Sequence, residues 1–164
     1  MNLRHFPRLA CVILLLSSSL AWAQKEIPSA RELDESERSK TFGSYTVHFS
    51  VFNSAFVPPA VAEIYQINRA RNQVLVNISV TQSKDGKTSL GLPAKVSGTA
   101  KNLIQQMQTL DFQTISEGEA TYYIAPLKHT NEEVYNFAIQ VIPEQSGTPL
   151  EVRFSRKLYV QEAE

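Results

Sequence analysis

Residues 44–82, SYTVHFSVFNSAFVPPAVAEIYQINRARNQVLVNISVTQ, decide the fold. They open with period two. Tyr45, Val47, Phe49 and Val51 point one way and Thr46, His48, Ser50 and Phe52 the other, as successive side chains of a strand must. Asn53-Ser54 ends this strand. Pro58-Pro59 suits the first turn of a helix, where the missing N–H has no helical partner to lose. Val61, Ile64 and Tyr65 then share a face at i, i+3 and i+4, so a short helix over 58–67 is predicted to pack back onto the sheet. The return Arg69-Ala70-Arg71-Asn72 leads into a second long strand with Val74, Val76, Ile78 and Val80 on one face.

Downstream the same alternation recurs. Asp85-Gly86 between strand-like runs is a strong hairpin signal. Ala94, Val96, Gly98 and Ala100 alternate with polar residues, and such small inward residues ask for something bulky opposite, with the helical turn as one source. Residues 103–108 fit helix or strand. Ala120–Leu127 reads as a strand that Pro126 places at an edge or an end. Val134–Ile142 is apolar on both faces, which predicts a central strand covered on each side. In the last strand Leu150, Val152, Phe154, Leu158 and Val160 share one parity, and Arg156 interrupts the row, as at an edge or a bulge. About seven short strands with turns between them predict an all-β, antiparallel, immunoglobulin-like sandwich. Tyr135-Asn136-Phe137, opening the penultimate strand, fits the corner tyrosine of such domains.

Upstream, Arg4, His5 and Arg8, the apolar run Leu9–Leu16 and Ala21-Trp22-Ala23 predict a signal peptide over 1–23. The run is shorter than the roughly 20 residues a spanning helix requires. The expected organisation is the leader, a flexible polar lead-in over 24–42, and one domain over 43–161. The exported chain would be periplasmic. Cys11 is the chain's one cysteine and leaves with the leader, so the core alone must hold the mature chain together. Loss of Arg4 and Arg8 from 16 basic residues leaves 14 against 16 acidic ones, a net charge of about −2 that gives no reason to expect nucleic acid or an anionic membrane as partner.

The chemistry-bearing residues assemble into no catalytic set. His48 and His129 are far apart in sequence with no ligand spacing between them, so no metal and no cofactor are expected. The Gly-x-Ser-x-Gly elbow is absent, and the carboxylate pairs Glu117/Glu119 and Glu132/Glu133 fall in a turn and a loop. Asn77-Ile78-Ser79 matches a glycosylation sequon but lies within a strand. What remains is Arg69 and Arg71, which could clamp a carboxylate or phosphate or could simply bond carbonyls at the helix end. With Asn53, Asn72 and His48 they form the candidate binding surface.

The order Tyr45-Thr-Val-His48-Phe-Ser-Val-Phe52-Asn53-Ser54, Phe56-Val-Pro, Val61-Ala62, Tyr65-x-Ile67, Arg69-x-Arg71-Asn72 and Asn77-Ile78-Ser79-Val80 resembles a family of exported gammaproteobacterial proteins, domain of unknown function 4426. His129-Thr130-Asn131-Glu132 and Tyr135-Asn136-Phe137 are similar to its later pattern. Ala55 stands where that pattern suggests a hydroxyl residue and Arg71 where it suggests lysine. The resemblance implies a periplasmic β-sandwich and supplies no activity.

Three functions stay open. The first is a non-enzymatic binding or accessory module acting through a protein or envelope partner. The second is a small-ligand carrier with a cavity between the sheets, lidded by the 58–67 helix. The third is a hydrolase assembled from loops, which requires His48 or His129 beside a serine or carboxylate.

Overall fold

The computed structural model describes residues 37–162. The leader over 1–23 and lead-in residues 24–36 lie outside the described residues. The strands are β1 (Ser39–Phe42), β2 (Tyr45–Asn53), β3 (Gln73–Lys84), β4 (Lys87–Thr88), β5 (Ala94–Asn102), β6 (Met107–Leu110), β7 (Gln113–Glu117), β8 (Ala120–Lys128), β9 (Glu133–Pro143) and β10 (Leu150–Leu158), with a helix, α1 (Pro59–Ile64), between β2 and β3. The first sheet runs β1-β2-β3-β8-β7, with β4 paired to β3, and the second runs β10-β9-β5-β6, all antiparallel. The order β2-β3-β8-β7 over β10-β9-β5 is that of an immunoglobulin-like sandwich, to which β1 and β4 are added in the first sheet and β6 in the second. Ten strands replace the seven expected, because β1, β4 and β6 are too short to show a clear period.

β1 falls inside the stretch expected to be a flexible lead-in. Gly43, at φ 58°, makes a two-residue turn with Ser44 that folds Ser39–Phe42 back onto β2, pairing Ser39 with His48 and Phe42 with Tyr45. Asp85 and Gly86, at φ 52° and 73°, turn β3 into β4 as their sequence predicts.

The core lies between the sheets. Val47 and Phe49 of β2 and Val74, Val76, Ile78 and Val80 of β3 meet Tyr135, Phe137, Ile139 and Val141 of β9 and Val152 of β10. Phe154 lies between Phe49, 4.4 Å away, and Phe137, 4.7 Å away, with the rings nearly parallel. The bulk opposite the small residues of β5 comes from the neighbouring strand, not from α1. Gly98 and Ala100 pair with Ile139 and Phe137, and a Cβ on Gly98 would stand 2.6 Å from Ile139 Cδ1. β9 is central, but only its inward row is buried; Val134, Ala138 and Ile142 on its outer row are half-buried. Pro126 sits on an internal strand at a point past β7, whose pairing stops at Gln113 opposite Ile124, so no neighbour on that side misses its N–H. Arg156 lies on the edge strand β10, in unbroken register opposite Tyr135. It turns inward, stacks over Phe154 at 5.4 Å and donates to the Glu37 carbonyl, which lets a cation close the end of an apolar row.

Phe137→Ala should lower stability by about 3–5 kcal/mol through the cavity it opens beside Phe154, and the thermal midpoint by about 10 °C or more. A smaller loss in thermal unfolding would mean that the ring stack does not carry the sheet-to-sheet contact.

Candidate functional site

The two loops that flank α1 are tied into one hydrogen-bonded knot. Asn53 ends β2 in the core's margin, 4% exposed. Its Oδ1 accepts the Ala55 N–H at 2.8 Å, capping the single 3-10 turn Ser54–Phe56, and its Nδ2 donates to the Arg71 carbonyl at 2.7 Å. Ser54 Oγ accepts the Ala70 N–H at 3.0 Å and reaches the Ala70 carbonyl at 3.2 Å. Arg69 Nη2 donates to the Ala55 carbonyl at 2.8 Å, and the Asn72 carbonyl accepts the His129 N–H at 3.0 Å. Four of the five residues of the candidate surface thus come together, with the polar atoms of Asn53 and the guanidinium of Arg69 spent on main-chain groups. Arg71 borders a depression with Asn131, Glu132, Tyr159 and Glu162, in which Arg69 takes no part. His48 stands apart, exposed on the outer face of β2, with Nε2 3.0 Å from Thr81 Oγ1.

The knot positions an apolar groove. Between the two loops α1 lies on the outer face of the first sheet, the side away from the second sheet, so the lid between the sheets expected of a carrier is not where the helix sits. Ala62 and Val57 are buried against Leu75, with Phe52, Ile67 and Ile124 around them. Beside this contact the helix stands off the sheet and leaves a groove of about 340 Å³, floored by Phe52, Leu75, Asn77, Ile115, Tyr122 and Ile124 and walled by Phe56, Val57, Pro58, Val61, Tyr65 and Ile67, with Glu117 at the rim. Tyr65 straps α1 to the edge strand β7. Its hydroxyl donates to Glu117 Oε1 at 3.1 Å and its carbonyl accepts from Gln113 Nε2 at 3.2 Å. Partial burial pushes the Tyr65 hydroxyl above its ordinary pKa, and the hydrogen bond and charge of Glu117 push it the same way. Asn77 lines this region, and its buried Oδ1 has no hydrogen-bond partner among the described residues. Sequence reasoning missed the groove, although one sign was legible: Phe52 is a large apolar residue on the outward row of Thr46, His48 and Ser50, where only polar residues are needed.

A polar network closes the far end of the second sheet. Glu133 accepts from Asn102 Nδ2 at 2.7 Å, the Thr130 N–H at 3.1 Å, Thr130 Oγ1 at 2.9 Å and the Tyr135 hydroxyl at 3.1 Å, and Gln108 Nε2 donates to the same hydroxyl. The corner tyrosine is therefore present, but it bonds side chains. Burial alone would raise the Glu133 pKa; the four donors outweigh it and hold the carboxyl below its ordinary range. Glu132 is exposed and is also lowered, chiefly by the hydrogen bond from Lys157 Nζ at 2.7 Å. His129, 6% exposed, has Nδ1 2.8 Å from the Thr130 carbonyl and Nε2 without a partner among the described residues. Neither histidine bonds a serine or a carboxylate, the condition the hydrolase reading set.

Asn53→Ala should cost about 1–3 kcal/mol in chemical denaturation, through the lost cap and the bond to Arg71, and the exposed Arg69→Ala less than about 1 kcal/mol. Equal losses would show that Asn53 does not hold the knot. Because the folded Glu133 pKa is depressed, its contribution is fully present above the ordinary value of 4.5 and is lost as pH falls through the folded value. Glu133→Gln should accordingly flatten the fall in stability between about pH 5 and about pH 3; an unchanged slope would remove Glu133 from the acid response.

No curated protein matches the chain. The profile of the family described as domain of unknown function, DUF4426, matches residues 39–161. The crystal structure of a DUF4426 family protein from Pseudomonas aeruginosa PAO1 is 29% identical, with a TM-score of 0.67 over 78% of this chain and 98% of that one. A copper-bound variant of FetP from uropathogenic Escherichia coli is 13% identical, with a TM-score of 0.56 over 77% of this chain and 97% of its own. FetP isolated after expression in the E. coli periplasm is also 13% identical and gives 0.55 over 76% and 95%. At that identity FetP shares the fold alone. The family match spans the whole sandwich and the structural match to a family member covers nearly all of that chain: this protein belongs to the DUF4426 family.

Proposed function

We propose that the protein is an exported, periplasmic binding module, without catalytic activity, that engages a protein partner through the groove between α1 and the outer face of the first sheet. The observation that carries this reading is the set of apolar side chains left in solvent on and beside α1. Phe56 is 65% exposed, Ile64 71% and Val61 37%, and Phe56 and Val61 border the groove. Covering a large apolar side chain is worth about 1.5–3 kcal/mol, and contiguous exposed apolar surface of this kind marks interaction sites. The Asn53, Arg69, Arg71 and Asn72 surface supports the module by fixing both loops from which α1 springs. Export rests on the leader pattern at 1–23, and no helix among the described residues is long and apolar enough to cross a membrane.

Ile64 favours a protein over a small ligand, since it is not among the residues that line the groove and an occupant confined to the groove leaves it wet. Among the described residues no three His, Cys, Asp or Glu side chains converge as a metal site.

A photoreactive benzoylphenylalanine in place of Phe56 or Ile64 should cross-link a discrete partner in intact cells, while the same group at the exposed Lys40 should not. Adducts of equal yield from all three positions, or from Lys40 alone, would rule the groove out as the working surface.

A further inference from the structure

We propose that the groove recognises a partner segment carrying a lysine or arginine flanked by apolar residues, an inference that rests on the groove being the working surface. Three features of the lining agree on a cation. The first is charge: Glu117 stands at the rim and none of the lining residues is Lys, Arg or His. Glu117 uses Oε1 to accept the Tyr65 hydroxyl, and Oε2 takes no hydrogen bond among the described residues. The second is the ring content. Phe52, Phe56, Tyr65 and Tyr122 present aromatic surface around the same space, and aromatic faces attract ammonium and guanidinium groups through their negative π-clouds. The third is hydrogen bonding. The Tyr65 hydroxyl spends its proton on Glu117, and Asn77 Oδ1 is an unpaired acceptor in the floor, which a small turn of the amide would present to an entering N–H.

An anionic occupant meets the opposite conditions. A phosphate headgroup or a fatty-acid carboxylate would enter beside Glu117 with no cation to neutralise either charge, in a site lined largely by carbon. A purely apolar occupant would fill the groove but leave Asn77 Oδ1 unpaired. A basic residue between apolar ones suits both parts: its alkyl stem lies along the rings, its head reaches Glu117, and its neighbours cover Phe56 and Ile64.

The test is selection of a phage-displayed pool of random 12-residue peptides on the purified protein. Enriched sequences should carry Lys or Arg within three residues of an aromatic or branched aliphatic residue. A synthetic peptide of the leading sequence should lose at least tenfold in affinity for Glu117→Lys, and its Lys→Glu version should regain affinity for that variant. Glu117 is exposed, so an unchanged thermal midpoint confirms that the variant is folded. Enrichment of acidic or uncharged sequences, no enrichment, or affinity indifferent to Glu117→Lys would overturn the inference. So would binding of dodecyltrimethylammonium with no peptide bound, which would make the occupant a small amphiphile. Persistent cross-links from Phe56 and Ile64 alongside any of these results would leave the groove standing and remove only its basic ligand; loss of the cross-links as well would remove both.

Discussion

The ring stack Phe49–Phe154–Phe137 is the contact on which the rest of the structure depends. It joins β2 of the first sheet to β10 and β9 of the second, at 4.4 and 4.7 Å between centroids. Antibody-type sandwiches place a disulfide between their sheets. With one cysteine this chain cannot form one within itself, and stacked rings do that work by area and dispersion. Phe137 stands two residues after the corner Tyr135, at the place a second cysteine would occupy. Arg156 then closes the stack at the rim by lying over Phe154 and bonding the Glu37 carbonyl.

Fixing which row of β2 faces inward also fixes what faces out. Side chains alternate with a period of two, so a one-residue slip would exchange the faces. With Val47 and Phe49 in the core, Phe52 must point to the outer surface, and its partner Leu75 on β3 points there too. An outward apolar pair needs cover. Ala62 of α1 and Val57 just before the helix supply part of it, and the remainder becomes the floor of the groove. The candidate site is thus a consequence of the core's register.

What could be read in the sequence follows from the same physics. The long strands, the Asp85-Gly86 hairpin, the Pro-started helix and the sandwich were legible because alternation over eight or more residues and turn chemistry are local signals. β1 was not, since a four-residue polar strand exists only through Gly43 and the edge of β2. The two covered faces predicted for β9 failed because Val134, Ala138 and Ile142 are as apolar as core residues, yet on the outer row they are only half-buried. Arg69, Arg71, Asn53 and Asn72 were singled out as unusual polar residues in a loop. The sequence holds no sign that Asn53 and Arg69 direct their polar atoms to main-chain groups up to 18 residues away, because that depends on where two loops meet. The groove required the positions of α1 and four strands at once, and only Phe52 hinted at it.

One comparison separates a working groove from a helix that merely plugs a sheet. A plug would be expected to bury its own apolar face and satisfy the polar groups beneath it, since each failure lowers stability. α1 buries Ala62 but leaves Val61 and Ile64 in water, and Asn77 beneath it keeps a buried acceptor that takes no hydrogen bond among the described residues. The buried polar residues Asn53, Ser54 and Asn102 by contrast each make two or more hydrogen bonds. Around α1 an unsatisfied acceptor and exposed apolar residues therefore lie on the same face of the first sheet. A partner that brings an N–H to Asn77 and apolar atoms to Ile64 would relieve the two together, and this is the support that the position of the helix lends to the proposed binding role.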